Sequence, residues 1–301
     1  MHGLLGLLAF ACCVIIAATE CSISKYREGP RDWLRCSNTS IEEVKSKLQW
    51  NLMKIAISES MISEIPDRSF VVNSTTLEML NFHSCGIYRI GNEAFLGLGS
   101  LKELSLSYNK ITQLSSAWVN HLTSLERLDL SFNMITYIDP QSYLSLSKLQ
   151  RLDINDNQLK HIPMINLENM RQLKIIRIQE NPLTYLNRAK LTLWLKDHKI
   201  NYATVDDDFI WFDSVLQSCL FDLPRTGELD RKMNTCVTMN MFEQLTSILA
   251  TSPSIRNSTQ VCYSQTKRLV DCFKNKNIRT NGNILMNLLS NINDVAKIGT
   301  A

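Results

Sequence analysis

The chain has 301 residues, a formal net charge of +3 and apolar side chains at 45% of its positions. The charge is mixed in sign, with neither basic runs nor interleaved aromatics, so no nucleic-acid partner is expected. Five His, one of them near the N-terminus, leave little for acid–base work. The sequence holds no nucleophile elbow, no metal-ligand pair on a helix and no phosphate loop. We expect a binding protein, not an enzyme, with no cofactor and no metal.

Residues 4–18 are almost wholly apolar, and Ala17, Ala18 and Thr19 are small. This pattern predicts a signal peptide over 1–19, cleaved near Ala18 to Glu20. The run is short for a membrane span, and no other stretch is apolar enough for one. Residues 281–301 are too polar for a lipid-anchor tail. The expected mature protein is secreted and extracellular. Of nine Cys, Cys12 and Cys13 leave with the signal. Cys21, Cys36, Cys85, Cys219, Cys236, Cys262 and Cys272 remain, an odd set with one unpaired thiol or an intermolecular bond. Cys85 is the expected odd one, as a buried, inert thiol.

From Leu52 the chain repeats. Leu125, Leu128, Leu130, Asn133 and Ile135 have the spacing L-x-x-L-x-L-x-x-N-x-I. One period earlier stand Leu101, Leu104, Leu106, Asn109 and Ile111, and one period later Leu149, Leu152, Ile154, Asn157 and Leu159. Leu77, Leu80, Phe82, Cys85 and Ile87 form a coil with Cys in place of Asn. Leu52, Ile55, Ile57, Ser60 and Ile62 form a weaker first coil, and Leu173, Ile176, Ile178, Asn181 and Leu183 the last. Residues i and i+2 of a strand share a face, so Leu128 and Leu130 point inward. One coil cannot bury its own apolar edge; stacked coils can. The recurring Asn can donate to and accept from backbone groups that the turn would leave unpaired.

This pattern resembles the extracellular class of leucine-rich-repeat proteins, over roughly half of the chain. The resemblance implies an α/β solenoid: a horseshoe of about six coils with short parallel strands on its concave face. It also implies a disulfide-tied N-terminal cap over 20–51 with Cys21 bonded to Cys36, repeats over 52–186 and a C-terminal cap over 187–214. In that cap Asn181-Pro182-Leu183 is followed by Tyr185 and Asn187 where the family has Cys. A helix over 188–197 would then lay Leu191, Trp194 and Leu195 on the last coil. Asn38, Asn73 and Asn257 head glycosylation sequons.

Strand residues that alternate with the buried leucines line the concave face. One column reads Lys54, Met79, Glu103, Arg127, Arg151, Ile175. The next reads Ala56, Asn81, Ser105, Asp129, Asp153, Arg177, and the third Ser58, His83, Ser107, Ser131, Asn155, Gln179. The candidate binding residues are Asn81, His83, Ser105, Ser107, Arg127, Asp129, Ser131, Arg151, Asp153, Asn155 and Arg177. Arg127, Asp129, Arg151 and Asp153 form a charged square with two readings, a recognition patch or a cross-strand salt-bridge ladder. Tyr108 and Phe132 directly precede the turn Asn and offer either aromatic anchors or turn packing.

Asp206, Asp207 and Asp208 read as a solvated turn leading into packed aromatics. From 215 to 301 the pattern predicts a small all-α module stapled by disulfides. Met233, Val237, Met241 and Leu245 mark one amphipathic helix; Leu269, Val270 and Phe273 a second; Leu285, Leu288, Leu289 and Ile292 a third. Four Cys allow three pairings. A hairpin bent at Pro253 would join Cys236 to Cys272 and leave Cys219 for Cys262. Secreted repeats followed by a Cys-bearing helical tail resemble insect haemolymph immune proteins, which implies a role in innate immunity, although those carry a longer coiled coil. The expected partner is an extracellular protein or glycan held by the concave face. The alternative is a scaffold or matrix protein acting through its helical module. The oligomeric state is left open.

Overall fold

The computed structural model describes residues 20–25, 32–71, 76–202, 207–223 and 227–251. Asn73, Asn257, Cys262 and Cys272, and the two later tail helices, lie outside these residues. The chain divides into two compact units. The first comprises residues 1–157 and 170–172, and the second residues 158–169 and 173–301.

The first unit begins with two antiparallel strands, β1 (Glu20–Lys25) and β2 (Asp32–Ser37). Cys21 and Cys36 lie directly opposite each other and are bonded. Helix α1 (Ile41–Ser46) follows, capped by the Ser40 hydroxyl, which accepts from Glu43 N at 3.2 Å. Strand β3 (Leu52–Ser58) pairs parallel with β2, so the N-terminal segment adds two strands to the repeat sheet. No pattern in the chain marks them in advance, because this segment lacks the repeat.

The repeat strands then succeed one another in parallel: β5 (Met79–His83), β7 (Glu103–Ser105), β9 (Arg127–Asp129) and β11 (Arg151–Asp153). Each pairs with the strand one repeat back, in register. Two-residue strands lie on the return path: β4 (Glu64–Ile65) against β6 (Arg89–Ile90), and β8 (Gln113–Leu114) against β10 (Tyr137–Ile138). Short helices α2 (Ser116–Val119) and α3 (Pro140–Ser145) complete two of the turns. Asp139 caps α3 by accepting from Gln141 N, and also accepts from the Ser116 hydroxyl and amide of the coil before. These contacts, the Ser116 hydroxyl foremost, hold its carboxyl below the usual range.

The core lies between the sheet and the return path. Leu101, Leu104, Leu125, Leu128, Leu149 and Leu152 are all buried. Fully burying one such side chain contributes about 1.5–3 kcal/mol. Phe70, Phe82, Phe95 and Trp118 pack ring on ring behind them, with centroids 5.7–6.5 Å apart.

At each turn the Asn amide works as a clip. Asn133 Nδ2 donates to Leu106 O, Leu130 O and Ser131 O, and its Oδ1 accepts from Ile111 N at 3.0 Å. Asn109 and Asn157 make the same set one coil away. Cys85 imitates it: its thiol donates to His83 O at 3.4 Å and Ile57 O at 3.7 Å. Cys85 is free and buried, and burial pushes the thiol up to about 11. It is therefore a protonated, poor nucleophile at neutral pH.

The residue before each clip has a left-handed backbone. Glu59, Ser84, Tyr108, Phe132 and Asp156 have φ of 48, 55, 57, 54 and 54°. Such residues cost about 1–3 kcal/mol each. A hydrogen bond offsets part of that cost at four of them, where the amide donates to a carbonyl of the next coil, as Tyr108 N does to Ser131 O.

The second unit holds α4 (Met164–Leu167), β12 (Ile175–Arg177), α5 (Tyr185–Asp197), α6 (Asp207–Asp222) and α7 (Leu229–Thr251). Helix α5 starts three residues before the sequence expectation, at a Thr184 cap that accepts from Asn187 N. Asn187 stands where similar caps carry Cys. It ties itself to Ile162 by two hydrogen bonds, of 2.9 and 3.0 Å.

Ala189, Phe212, Leu216, Cys219, Met233, Val237 and Met241 form one core across α5, α6 and α7. Two expectations are corrected here. The boundary set between 214 and 215 falls inside α6, because Phe212 and Leu216 belong to the same core. Cys219 is bonded to Cys236, not to Cys262, and Cys236 is therefore not bonded to Cys272. The physical reason is the place of the bend. It lies between α6 and α7, where Gly227 and Glu228 take φ of 69 and 41°. That brings Cys219, near the end of α6, beside Cys236 in α7.

Within this unit Arg188 Nε donates to Asp213 Oδ1 at 2.8 Å, and both side chains are largely buried. Burial outweighs the guanidinium and raises the Asp213 carboxyl.

Candidate functional site

Parallel pairing in register stacks like positions. Lys54, Met79, Glu103, Arg127 and Arg151 form one outward column, and Ala56, Asn81, Ser105, Asp129 and Asp153 the next. All of these except Ala56 line a trough of about 330 Å³ on the sheet of the first unit. Strand β2 extends the first column with Trp33, opposite Lys54. The Lys54 ammonium and the Arg35 guanidinium lie 4.4 and 4.3 Å from the Trp33 ring centre. Sequence reasoning missed Trp33 and Arg35, because only the strand pairing puts them on this face.

The charged square does not form a ladder. Arg127 lies beside Arg151 and Asp129 beside Asp153, like against like. Arg127 finds its carboxylate outside the square, and Arg151 finds one within it, along its own strand. Arg127 pairs with Glu103, the residue opposite it on β7. Arg151 Nε pairs with Asp153 Oδ2 on its own strand at 2.7 Å. Asp129 has no cation among the described residues. Its Oδ1 accepts from Ser131 N at 3.0 Å and Ser131 Oγ at 2.6 Å, and its Oδ2 from Ser105 Oγ at 3.1 Å.

Other expected residues divide. Asn81, His83, Ser105 and Asn155 are partly exposed. Ser107 and Ser131 are buried, which corrects their reading as free surface. The chain turns immediately after them, and neighbours take up their hydroxyls. Ser107 Oγ contacts His83 Nδ1 at 3.1 Å and Ser105 Oγ at 3.3 Å. Asn155 Nδ2 donates to Asp156 Oδ2. Arg177 belongs to the second unit, where its guanidinium donates to Asn201. Asn38 is exposed, with φ of 47°.

Beside the trough runs an aromatic stack. Tyr108 and Phe132 lie parallel, 4.1 Å between centroids, and His83 meets Tyr108 edge-on at 4.9 Å. Tyr108 is 48% and Phe132 38% exposed. Both serve the turn, through their left-handed backbone, and still present apolar surface.

Two acceptors in the trough have no donor. Asn81 Oδ1 and Asp153 Oδ1 are buried without a hydrogen bond, and Asp153 as a whole is only 9% exposed. Among the described residues no group of three His, Cys, Asp or Glu could hold a metal ion, and no helix is long and apolar enough to cross a membrane.

The leucine rich repeat family model matches residues 75–135 and 124–183, so the chain carries leucine-rich repeats across this span. No curated protein matches the chain. A solved crystal structure of a TLR13–ssRNA13 complex is 26% identical, with a TM-score of 0.38; the match covers 45% of this chain and 22% of that one.

Proposed function

We propose that this is a secreted binding protein that holds an extracellular protein or glycan on the concave face of its repeats. The supporting observation is the trough over β3 to β11. It gathers Arg127, Asp129, Arg151 and Asp153 on a rigid parallel sheet and includes polar atoms that the fold does not satisfy. Buried polar groups are almost always paired, so unpaired ones on a concave surface suit a ligand. Two disulfides and the signal-like N-terminus favour an oxidising, extracellular setting. In this reading the solenoid has six coils, Asn38, Asn73 and Asn257 carry glycans, and the residues after the last coil form the helical module. Innate immunity is the setting that the sequence resemblance supplies.

The test is capture of partners from native extracellular fluid by the whole chain. Replacing Arg127, Asp129, Arg151 and Asp153 with Ala should abolish it; unchanged capture defeats the concave-face reading. A scaffold role for the helical module is the second reading. It is favoured by Phe221 and Met239, apolar side chains 73% and 53% exposed on α6 and α7. Phe221→Ser with Met239→Ser should then abolish capture while the four concave-face changes do not.

A further inference from the structure

The trough's own chemistry narrows its ligand. Its lining holds three cations, Lys54, Arg127 and Arg151, and three carboxylates, Glu103, Asp129 and Asp153. A strong anion would face the carboxylates and a strong cation the guanidinium and ammonium groups. The lining is nevertheless rich in unused hydrogen-bonding capacity, of both kinds. Asn81 Oδ1 and Asp153 Oδ1 accept from nothing. A guanidinium carries five N–H donors. Among the described residues Arg127 uses NH1, on Glu103, and Arg151 uses Nε, on Asp153. A purely apolar ligand would strand these groups out of water.

The complement is a neutral molecule whose adjacent atoms both donate and accept, and which also has an apolar side. We propose that the trough binds a saccharide, with ring hydroxyls donating to Asn81, Asp129 and Asp153 and accepting from Arg127 and Arg151. The half-exposed Tyr108 and Phe132 stack supplies the apolar rim for the C–H face of a sugar ring. The volume of about 330 Å³ lies at the small end of ligand pockets, which suits one or two rings. Planar carboxylate, amide and guanidinium groups meet a vicinal diol bidentately, and a rigid sheet holds them in place without an ordering cost. The orphan acceptors make the ligand's O–H groups worth more here than on open surface.

This inference rests on the concave-face reading and can fail separately from it. The whole chain is titrated calorimetrically with chitohexaose, laminarihexaose, maltohexaose and cellohexaose. At least one should bind, with an affinity that high salt leaves unchanged. Asp129→Asn and Asn81→Ala should each weaken that binding about tenfold, the effect of one lost hydrogen bond. Asp129→Asn retains a carbonyl oxygen for Ser131 and places its amide nitrogen to donate to the Ser105 hydroxyl, and an unshifted thermal midpoint verifies its fold. Binding that neither variant weakens overturns the assigned site. Binding that salt abolishes overturns a neutral ligand. If no hexasaccharide binds and the protein captures an enzymatically deglycosylated protein through the same four residues, the saccharide is refuted while the concave face stands.

Discussion

The two units solve the same problem with opposite economies. In the first, each stabilising device occurs several times: three Asn clips, a stack of buried leucines, a series of left-handed turns. Losing one leaves its neighbours intact, because each coil contacts chiefly the coils beside it. In the helices of the second, among the described residues, the devices are single: the ion pair of Arg188 with Asp213 joins α5 to α6, and the disulfide of Cys219 with Cys236 joins α6 to α7. Redundancy makes stability local, whereas single copies make it collective.

Breaking a single-copy device should therefore have the larger effect. Asp213→Ala leaves the Arg188 guanidinium buried without its carboxylate and should cost about 3–5 kcal/mol. Amide hydrogen exchange should rise throughout α5, α6 and α7 and stay unchanged in β5 to β11; an equal rise in both units would refute the contrast. The double change Cys219→Ser with Cys236→Ser opens a loop of 17 residues and should cost about 3 kcal/mol. Denaturant unfolding followed by exchange should show that loss in the same three helices. The clip is the smaller case. Asn133→Ala removes four hydrogen bonds and exposes no new path to water, so about 2 kcal/mol is expected, given about 1 kcal/mol for each net bond and partial relaxation. Protection should fall at Ile111 and in the adjoining coils only, and Asn157→Ala should cost the same within error. A fall that reaches α1 would mean that the coils are not independent.

The same contrast explains what the sequence disclosed. Leu101, Leu125 and Leu149 repeat at a fixed interval, so the sheet, its inward face and its outward columns could be read directly. The left-handed positions could not, because Glu59, Ser84, Tyr108, Phe132 and Asp156 share a backbone conformation and no side-chain type. The pairing of Arg127 with Glu103 was hidden for a related reason. The column was legible, but which neighbour a long side chain chooses depends on packing between columns. Nothing repeats in the helices α5 to α7 of the second unit, so the bend between α6 and α7 had no signal stronger than Pro253, which pointed to another disulfide pairing. Trp33 entered the outward face only through a strand pairing that lies outside the repeat.

The weakest clip offers the finest test of redundancy. Cys85 occupies the Asn position but makes two long sulfur contacts, 3.4 and 3.7 Å, where Asn109 makes three amide donations of 2.8–3.0 Å. Its carbonyl neighbours, Ile57 O and His83 O, correspond to Phe82 O and Ser107 O around Asn109. Cys85→Asn should therefore extend the series by one coil. The gain should be about 0.5–1 kcal/mol, since the amide replaces weak sulfur bonds and does not satisfy previously orphaned groups. Exchange should slow at Ile62 and its immediate neighbours, and α5 to α7 should not respond. A destabilised variant would show that this coil is shaped around sulfur, and that the clip series is less uniform than its register suggests.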